Sequence, residues 1–171
     1  MQRRLIIAAI ILLFVLVLCY PLTLAAVTLG SPTPPGVGAG RIDVCPDRPN
    51  CVSSLQDEAT AQRVDPLTYT NEQFSIEAEA FSEDDRTEII TARLITVLEG
   101  LPRTQVMVAQ GGYIHAETRS RVFRFVDDLE LQIDPASQEV QVRSAARLGQ
   151  DDLGVNRRRV QAIREAFNAS Q

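Results

Sequence analysis

An alternating stretch near the middle of the chain constrains the fold more than any other part of the sequence. Between Val122 and Ile133 the odd-numbered positions are apolar apart from Asp127, and most even-numbered positions are polar or charged. Successive side chains of a strand point to opposite faces of a sheet, so the pattern predicts a long strand with one buried face. Asp127 departs from it, because it places a carboxylate on the apolar side.

A second strand is predicted directly before this one. Tyr113–Arg119 alternates in the same way, and Gly111 and Gly112 are typical of a hairpin turn leading into it. A third alternating segment, Val140–Arg147, follows. If the three pair, one sheet face collects most of the charged side chains, which are His115, Glu117, Arg119, Arg124, Asp128, Glu130, Arg143 and Arg147. We expect this polar face to be open.

The N-terminus has the composition of a membrane segment. Residues 1–4 are short and basic, and Leu5–Leu29 is a nearly continuous apolar run of 25 residues, while a spanning helix needs about 20. We favour an uncleaved signal anchor. Cleavage after Ala25 or Ala26 and lipidation at Cys19 stand as alternatives. Arg3 and Arg4 place the start in the cytoplasm and the body on the far side of the membrane, in the periplasm, a thylakoid lumen or outside.

A proline- and glycine-rich linker, residues 30–44, is predicted to be a tether without a packed element. Cys45 and Cys51 then enclose five residues that include two prolines. In an exported body this spacing favours a structural disulfide. Two thiols and one distant histidine supply at most three ligands, so we predict no metal site, and no cofactor.

The remaining segments predict a helical scaffold around the strands. Phe74–Ala80 alternates like a strand, and Ser82 begins a helix whose apolar stripe ends near Gly100 and Pro102. A short strand follows at Thr104–Ala109, and a last helix runs from about Val155 to Phe167. Residues 45–171 are therefore predicted to form one α+β domain, an antiparallel sheet of about four to five strands with two amphipathic helices on one face.

Charge narrows the possible functions. The chain has 17 basic and 22 acidic residues. Without Arg3 and Arg4 this leaves 15 against 22, a net charge of −7 for the body, which disfavours nucleic acid as a partner. Every basic residue is an arginine, so a catalytic lysine, a Schiff base and a P-loop lysine are excluded.

Catalysis fits the sequence poorly. A serine–histidine–aspartate arrangement would need His115 as the base, Ser120 or Ser144 as the nucleophile and Asp127 as the orienting group, and no nucleophile-elbow motif is present. Asp127 and Asp128 are adjacent strand residues, so they point apart and cannot flank one bond. A divalent-cation site built on Asp151, Asp152 and one of those two aspartates is a weaker alternative.

Asp127 is better explained as a structural residue. A carboxylate on an apolar face needs a partner, and Arg143, Arg147 or Arg157 would hold the last helix against the sheet by binding it. We expect Asp127→Ala to loosen the domain, and we expect His115→Ala, on an open face, to cost little stability.

The sequence resembles one known family across nearly the whole body. The matching pieces are CPDRPNCVSS (Cys45–Ser54), LPRT (Leu101–Thr104), YIHAETRSRVFRFVDDLE (Tyr113–Glu130), VRSAARLG (Val142–Gly149) and DLGVNRRRV (Asp152–Val160). In these pieces the chain is similar to the family catalogued as domain of unknown function 1499. The resemblance implies an exported or membrane-tethered domain, and it carries no activity.

These observations predict a membrane-tethered, non-catalytic binding or assembly module. Its candidate binding residues are His115, Glu117, Arg119, Arg143 and Arg147, and its candidate structural ion-pair residues are Asp127, Asp128 and Arg157. The predicted partner is a membrane protein complex, and a small anion or a divalent cation is the alternative ligand.

Overall fold

The computed structural model describes residues 2–30, 35–74 and 80–169. The helices are α1 (Gln2–Leu29), α2 (Pro35–Ala39), α3 (Glu83–Gly100) and α4 (Val155–Ala169), with a 3-10 helix at Glu72–Phe74. The strands are β1 (Cys51–Ser53), β2 (Leu67–Thr68), β3 (Thr104–Gln110), β4 (Tyr113–Arg119), β5 (Val126–Asp134) and β6 (Glu139–Ala146).

One antiparallel sheet organises the body. Its strand order is β1-β6-β5-β4-β3, and β2 pairs with β6 beside β1. Short turns join the consecutive long strands, which is why they pair antiparallel. The α+β class and the antiparallel sheet are confirmed.

Helices α3 and α4 cover the same face of the sheet. Ile90, Leu94 and Leu98 of α3 and Val160 and Ile163 of α4 pack in one core. Their sheet partners share one side of the pleat, and they are Ile114, Ala116, Leu129, Leu131, Ile133, Val140 and Val142. Ser82 begins α3 as predicted, with a capping box formed by its hydroxyl and the Asp85 carboxylate.

The long strand begins later than the alternation predicts. Val122–Phe125 belongs to the turn between β4 and β5, where Arg124 has a φ of 58°, a left-handed conformation that interrupts pairing. Arg124 therefore does not join the polar sheet face. The strand predicted from Phe74 falls mostly on residues 75–79, which lie outside the described residues, and Phe74 itself ends the 3-10 helix.

The N-terminal helix has the length and composition of a membrane span. Its apolar window, Gln2–Thr23, has a mean hydropathy of 3.1, and a signal sequence near an N-terminus meets the same criterion. Residues 35–44 of the predicted tether are packed against the body, because α2 forms within them and Gly36 and Ile42 are buried. A side chain at Gly36 would meet the Glu130 carboxylate and the Arg41 carbonyl.

Candidate functional site

The polar face of the sheet, on the side opposite the helices, gathers the predicted binding residues. The pairing register places His115 opposite Glu130, Glu117 opposite Asp128, and Glu130 opposite Arg143. Arg119 and Arg147 continue β4 and β6 on the same side. All five binding candidates therefore lie together, and Asp128 joins them.

The side chains of this face are bound to one another. The Asp128 carboxylate accepts a hydrogen bond from Nε (2.8 Å) and another from Nη2 (2.7 Å) of Arg147, and its Oδ1 lies 2.9 Å from His115 Nε2. Arg147 Nη2 also donates to Glu117 at 2.6 Å, and Arg119 donates to the second oxygen of Glu117 at 2.9 Å. These four charged groups and the histidine form one continuous network.

Glu130 is the centre of a second group on the same face. The Tyr113 hydroxyl donates to its Oε1 at 2.9 Å, and the Arg143 guanidinium donates to its Oε2. Burial raises the pKa of Tyr113, and the neighbouring Glu130 charge raises it further. Tyr113 therefore remains a hydrogen-bond donor, and Glu130 accepts one bond from this neutral hydroxyl and one from the positive Arg143 guanidinium.

Electrostatics fix the charge states at the heart of the network. Burial alone would raise the pKa of Asp128, but the hydrogen bonds from Arg147 and His115 more than offset it, so the pKa is lowered. The pKa of Arg147 is raised by the Asp128 hydrogen bond, against the effect of burial. Asp128 and Arg147 are thus a tightly held ion pair.

The expectation of an open polar face is wrong. His115 is 2% exposed, Glu130 1% and Arg143 8%. Part of the cover is the chain before β1, because Gly36 and the residues from Asp43 to Pro46 line one cavity with Glu130 and Arg143. The Cys45–Cys51 disulfide forms as predicted, and it packs with Ala145 of β6 on this side.

The partner of Asp127 is not among the three arginines predicted for it. On the helix side of the sheet its carboxylate accepts a hydrogen bond of 2.6 Å from Arg159 of α4. Arg143 and Arg147 lie on the other side of the sheet, and Arg157 donates to the backbone carbonyls of Ala61 and Arg63. Burial raises the pKa of Asp127, and Arg159 opposes that shift. The predicted role, an ion pair that holds the last helix against the sheet, is the one that Arg159 fulfils.

Buried amides complete the contact between α4 and the sheet. Asn156 is fully buried, its Oδ1 accepts from the Ser144 hydroxyl at 2.7 Å, and its Nδ2 donates to the Asn50 carbonyl at 2.9 Å. Arg159 also donates to the Ser144 hydroxyl at 3.0 Å. Sequence reasoning missed Arg159 and Asn50, because three consecutive arginines give no helical phase and an asparagine beside a cysteine gives no periodic signal.

The geometry does not assemble a hydrolytic triad. Ser144 and Asp127 lie on the helix side of the sheet, and His115 lies on the other side. The Ser120 hydroxyl accepts a hydrogen bond from the Phe125 amide within the turn. Asp152 is not free for a cation either, since its oxygens accept from the amides of Gly154 and Asn156, and the described residues hold no metal-ligating group of three.

The polar face is balanced in charge. Three carboxylates, Glu117, Asp128 and Glu130, face three guanidiniums, those of Arg119, Arg143 and Arg147. Two buried nitrogens, His115 Nδ1 and Arg143 Nε, have no hydrogen-bond partner within the described ranges. Breaking such a network is costly, because each lost partner leaves a buried charge. The network is therefore a buried polar core between the sheet and its cover.

Comparison with known proteins places the chain in a family without an assigned activity. No curated protein matches it, and no solved structure does. One family model, described as a protein of unknown function (DUF1499), matches residues 41–167. The match contains all six strands, α3, α4 except its last two residues, and every residue of the polar face. The chain therefore belongs to the DUF1499 family.

Proposed function

We propose that this protein is a membrane-tethered, non-catalytic assembly module, and that it assembles by pairing the outer edge of strand β3 with β3 of a second copy. The tether is α1, with the body on the extracytoplasmic side. The basic start of the chain supports that orientation, and a disulfide near the start of the body fits an oxidising compartment.

The absence of a catalytic role is supported by how the polar face is used. Each carboxylate there already binds at least one guanidinium, and the single histidine binds Asp128. A general base needs a group that is free to bind substrate. The carboxylates of this face are instead bound to guanidiniums, and the histidine is bound to Asp128.

The observation that carries the proposal is the β3 edge. This strand pairs with β4 and, in the described part of the chain, with no other strand. Its seven residues, TQVMVAQ, include no charge and no proline, and Met107 is 47% exposed and Val108 36%. Edge strands usually avoid pairing by being short, charged or interrupted by proline. The opposite edge is short, with three residues in β1 and two in β2.

A bulge gives β3 a pattern that matches itself. The register with β4 shifts between Val106 and Val108, so Gln105 and Gln110 lie on the polar side while Val106 and Ala109 lie on the helix side. Two copies in antiparallel pairing about Met107 and Val108 would therefore place Gln105 beside Gln110 of the other copy, and Val106 beside Ala109. Amide pairs and apolar pairs stabilise neighbouring strands.

Charges beside the edge fit the same arrangement. Asp84 and Glu88 line the groove next to Ala109–Gly112, at the end of β3, and exposed Arg103 directly precedes its start. A twofold axis would bring the acidic end of one copy to the basic end of the other. For a body of net charge −7, this is a surface on which two copies meet without like charges opposed.

Cross-linking of the full chain in membranes tests the pairing and its register. In a Cys19→Ser background we expect Met107→Cys to form an intermolecular disulfide, because the axis passes between positions 107 and 108, so the two copies of position 107 lie diagonally across it, one residue out of register. Gln105→Cys and Gln110→Cys should each remain monomeric alone and cross-link when co-expressed. Leu153→Cys, at an 81% exposed position, is the matched control.

Two results would overturn the proposal. One is a Met107→Cys chain that cross-links no faster than the Leu153→Cys control. The other is a Gln105→Cys chain that cross-links with itself as readily as with Gln110→Cys, which would mean random collision in the membrane. A charge on the edge, Val108→Lys, should in addition convert the dimer to a monomer in light scattering.

A second candidate function is small-anion binding, and one observation favours it. A cavity of about 390 Å³ is lined by Arg143 and Glu130 at its base and by residues of the covering segment, and Arg143 Nε is buried without a partner among the described residues. A carboxylate or phosphate oxygen would satisfy that nitrogen. A rise in melting temperature with such anions, lost in Arg143→Met, is the expected result.

A further inference from the structure

The connection between β4 and β5 displays an apolar tip. Val122 is 72% exposed and Phe123 41%, and the rings of Phe123 and Phe125 stack with their centroids 5.5 Å apart. The base of the connection is closed, because the Ser120 amide donates to the Phe125 carbonyl at 2.9 Å and the Phe125 amide donates to the Ser120 hydroxyl at 2.9 Å. We call Ser120–Phe125 the tip loop. Its apolar side chains are held outward by a hydrogen-bonded neck.

Arginines surround this tip. Arg121 and Arg124 flank Val122 and Phe123, are exposed, and bind no carboxylate within the described ranges. Arg103 lies next to the neck, since the Arg119 amide donates to its carbonyl at 3.0 Å and its own Nε donates to the Arg119 carbonyl at 3.0 Å. On a body of net charge −7, the tip loop is an exception, a basic and aromatic projection.

The tip loop is within reach of the bilayer in which α1 would lie. Gly36 is buried beside Glu130, and it follows Leu29, the last residue of α1, by seven residues, which span at most about 25 Å. From Glu130 back along β5 to Phe125 is roughly 17 Å of strand. Along these two paths the loop is therefore at most about 45 Å from the end of the membrane helix.

We propose that the tip loop docks on the surface of an anionic bilayer, with Arg121 and Arg124 on lipid phosphates and with Val122 and Phe123 at the level of the headgroups. Arginine forks suit phosphate oxygens, and exposed aromatic and aliphatic side chains partition into the interface. Weak contacts of this kind suffice here, because the tether keeps the loop at a high effective concentration near the membrane.

Docking would fix how the body is oriented above the membrane. The tip loop and the anchored N-terminus would then be two points of attachment, and β3, which is paired to the strand that enters the loop, would be held at a constant height. This inference does not depend on β3 pairing, since a monomer would dock in the same way. It does depend on an anchor that is retained.

The test places a polarity-sensitive fluorophore on the Val122→Cys thiol of the full chain in a Cys19→Ser background. The chain is reconstituted in vesicles of phosphatidylcholine alone or of phosphatidylcholine with phosphatidylglycerol. We expect a blue-shifted emission and quenching by nitroxide-labelled lipids in the anionic vesicles only. Arg121→Glu with Arg124→Glu should abolish both signals, and the same fluorophore at Leu153→Cys should report water in every vesicle.

Two outcomes would overturn the proposal that the tip loop docks on an anionic bilayer. Emission at position 122 that is the same in both vesicles overturns recognition of anionic lipid, whether the label reports water or lipid in the two. A blue shift that appears only when a second protein is added, with no quenching by nitroxide lipids, would assign the tip loop to a protein partner and overturn the proposal.

Discussion

Asp127 and Asp128 are neighbours in β5, yet their carboxylates lie on opposite faces of the sheet and bind different arginines. Asp127 binds Arg159 of α4 at 2.6 Å, and Asp128 binds Arg147 beyond the end of β6 at 2.7 Å. Burial acts on both groups. On Asp127 it prevails and the pKa is raised, whereas on Asp128 the hydrogen bonds from Arg147 and His115 outweigh it and the pKa is lowered.

The two aspartates should therefore affect acid stability in opposite directions. Because the pKa of Asp128 is lowered, its ionisation adds to the free energy of unfolding at pH values above 3.8, the ordinary pKa of an aspartate. This stabilisation is lost as the pH falls through the lower pKa of the folded state. Because the pKa of Asp127 is raised, its protonation adds to the free energy of unfolding. This stabilisation is complete below pH 3.8 and is lost as the pH rises through the higher pKa of the folded state.

Unfolding free energies of Asp128→Asn and Asp127→Asn, measured across the acidic range, check this. We expect Asp128→Asn to lose stability less steeply than the parent as the pH falls, and Asp127→Asn to lose it more steeply. If both variants changed the slope in the same direction, the assignment of opposite shifts to the two faces would be wrong.

Arg147 should contribute more to the free energy of unfolding than Arg119, although both bind Glu117. The Arg147 side chain is 6% exposed and also holds Asp128, while Arg119 is 22% exposed and binds Glu117 alone. Arg147→Met leaves two carboxylates without their shared partner and should cost roughly 3–5 kcal/mol. Arg119→Met, the matched control, should cost about 1 kcal/mol or less.

Urea unfolding of the full chain in mild detergent, followed by circular dichroism, measures both changes. A double variant, Arg147→Met with Asp128→Asn, should be less destabilised than the sum of the single changes, because the two groups act as a unit. Strict additivity would show that the buried network contributes little.

His115 requires a different expectation from the one its sequence position suggests. It is 2% exposed, and its Nε2 binds Asp128, so His115→Ala should open a cavity in the polar core and cost at least about 2 kcal/mol. His115→Gln, which keeps a donor in reach of Asp128, should cost less. Equal melting temperatures for the parent and His115→Ala would show that His115 does not stabilise the fold as a buried residue.

The alternation of apolar and polar residues predicted much of this fold from the sequence, and the errors of that prediction have local causes. It placed His115, Glu117, Glu130 and Arg143 on one face correctly, because side-chain direction in a strand depends on position alone. It extended the strand back to Val122, because it does not detect the left-handed backbone at Arg124.

Tertiary docking explains the other differences. The cover over Glu130 comes from Gly36 and the segment near Cys45, and a proline- and glycine-rich stretch has no periodicity from which a packed face can be predicted. The partner of Asp127 depends on how α4 is rotated, and Arg157 and Arg159 lie about 200° apart around a helix. The sequence predicted an arginine from this run but not the one that points to the sheet.

The disulfide should stabilise the segment that covers Glu130 and Arg143. Cys45–Cys51 closes a short loop beside Ala145, so replacing both cysteines with serine should cost about 2 kcal/mol. Because Asp43, Val44 and Cys45 line the cavity over Glu130 and Arg143, amide hydrogen exchange between Asp43 and Cys51 should also rise. The free thiol Cys19 provides the control, since Cys19→Ser should change neither quantity. Unchanged exchange in the doubly substituted chain would show that the cover is held by its packing alone.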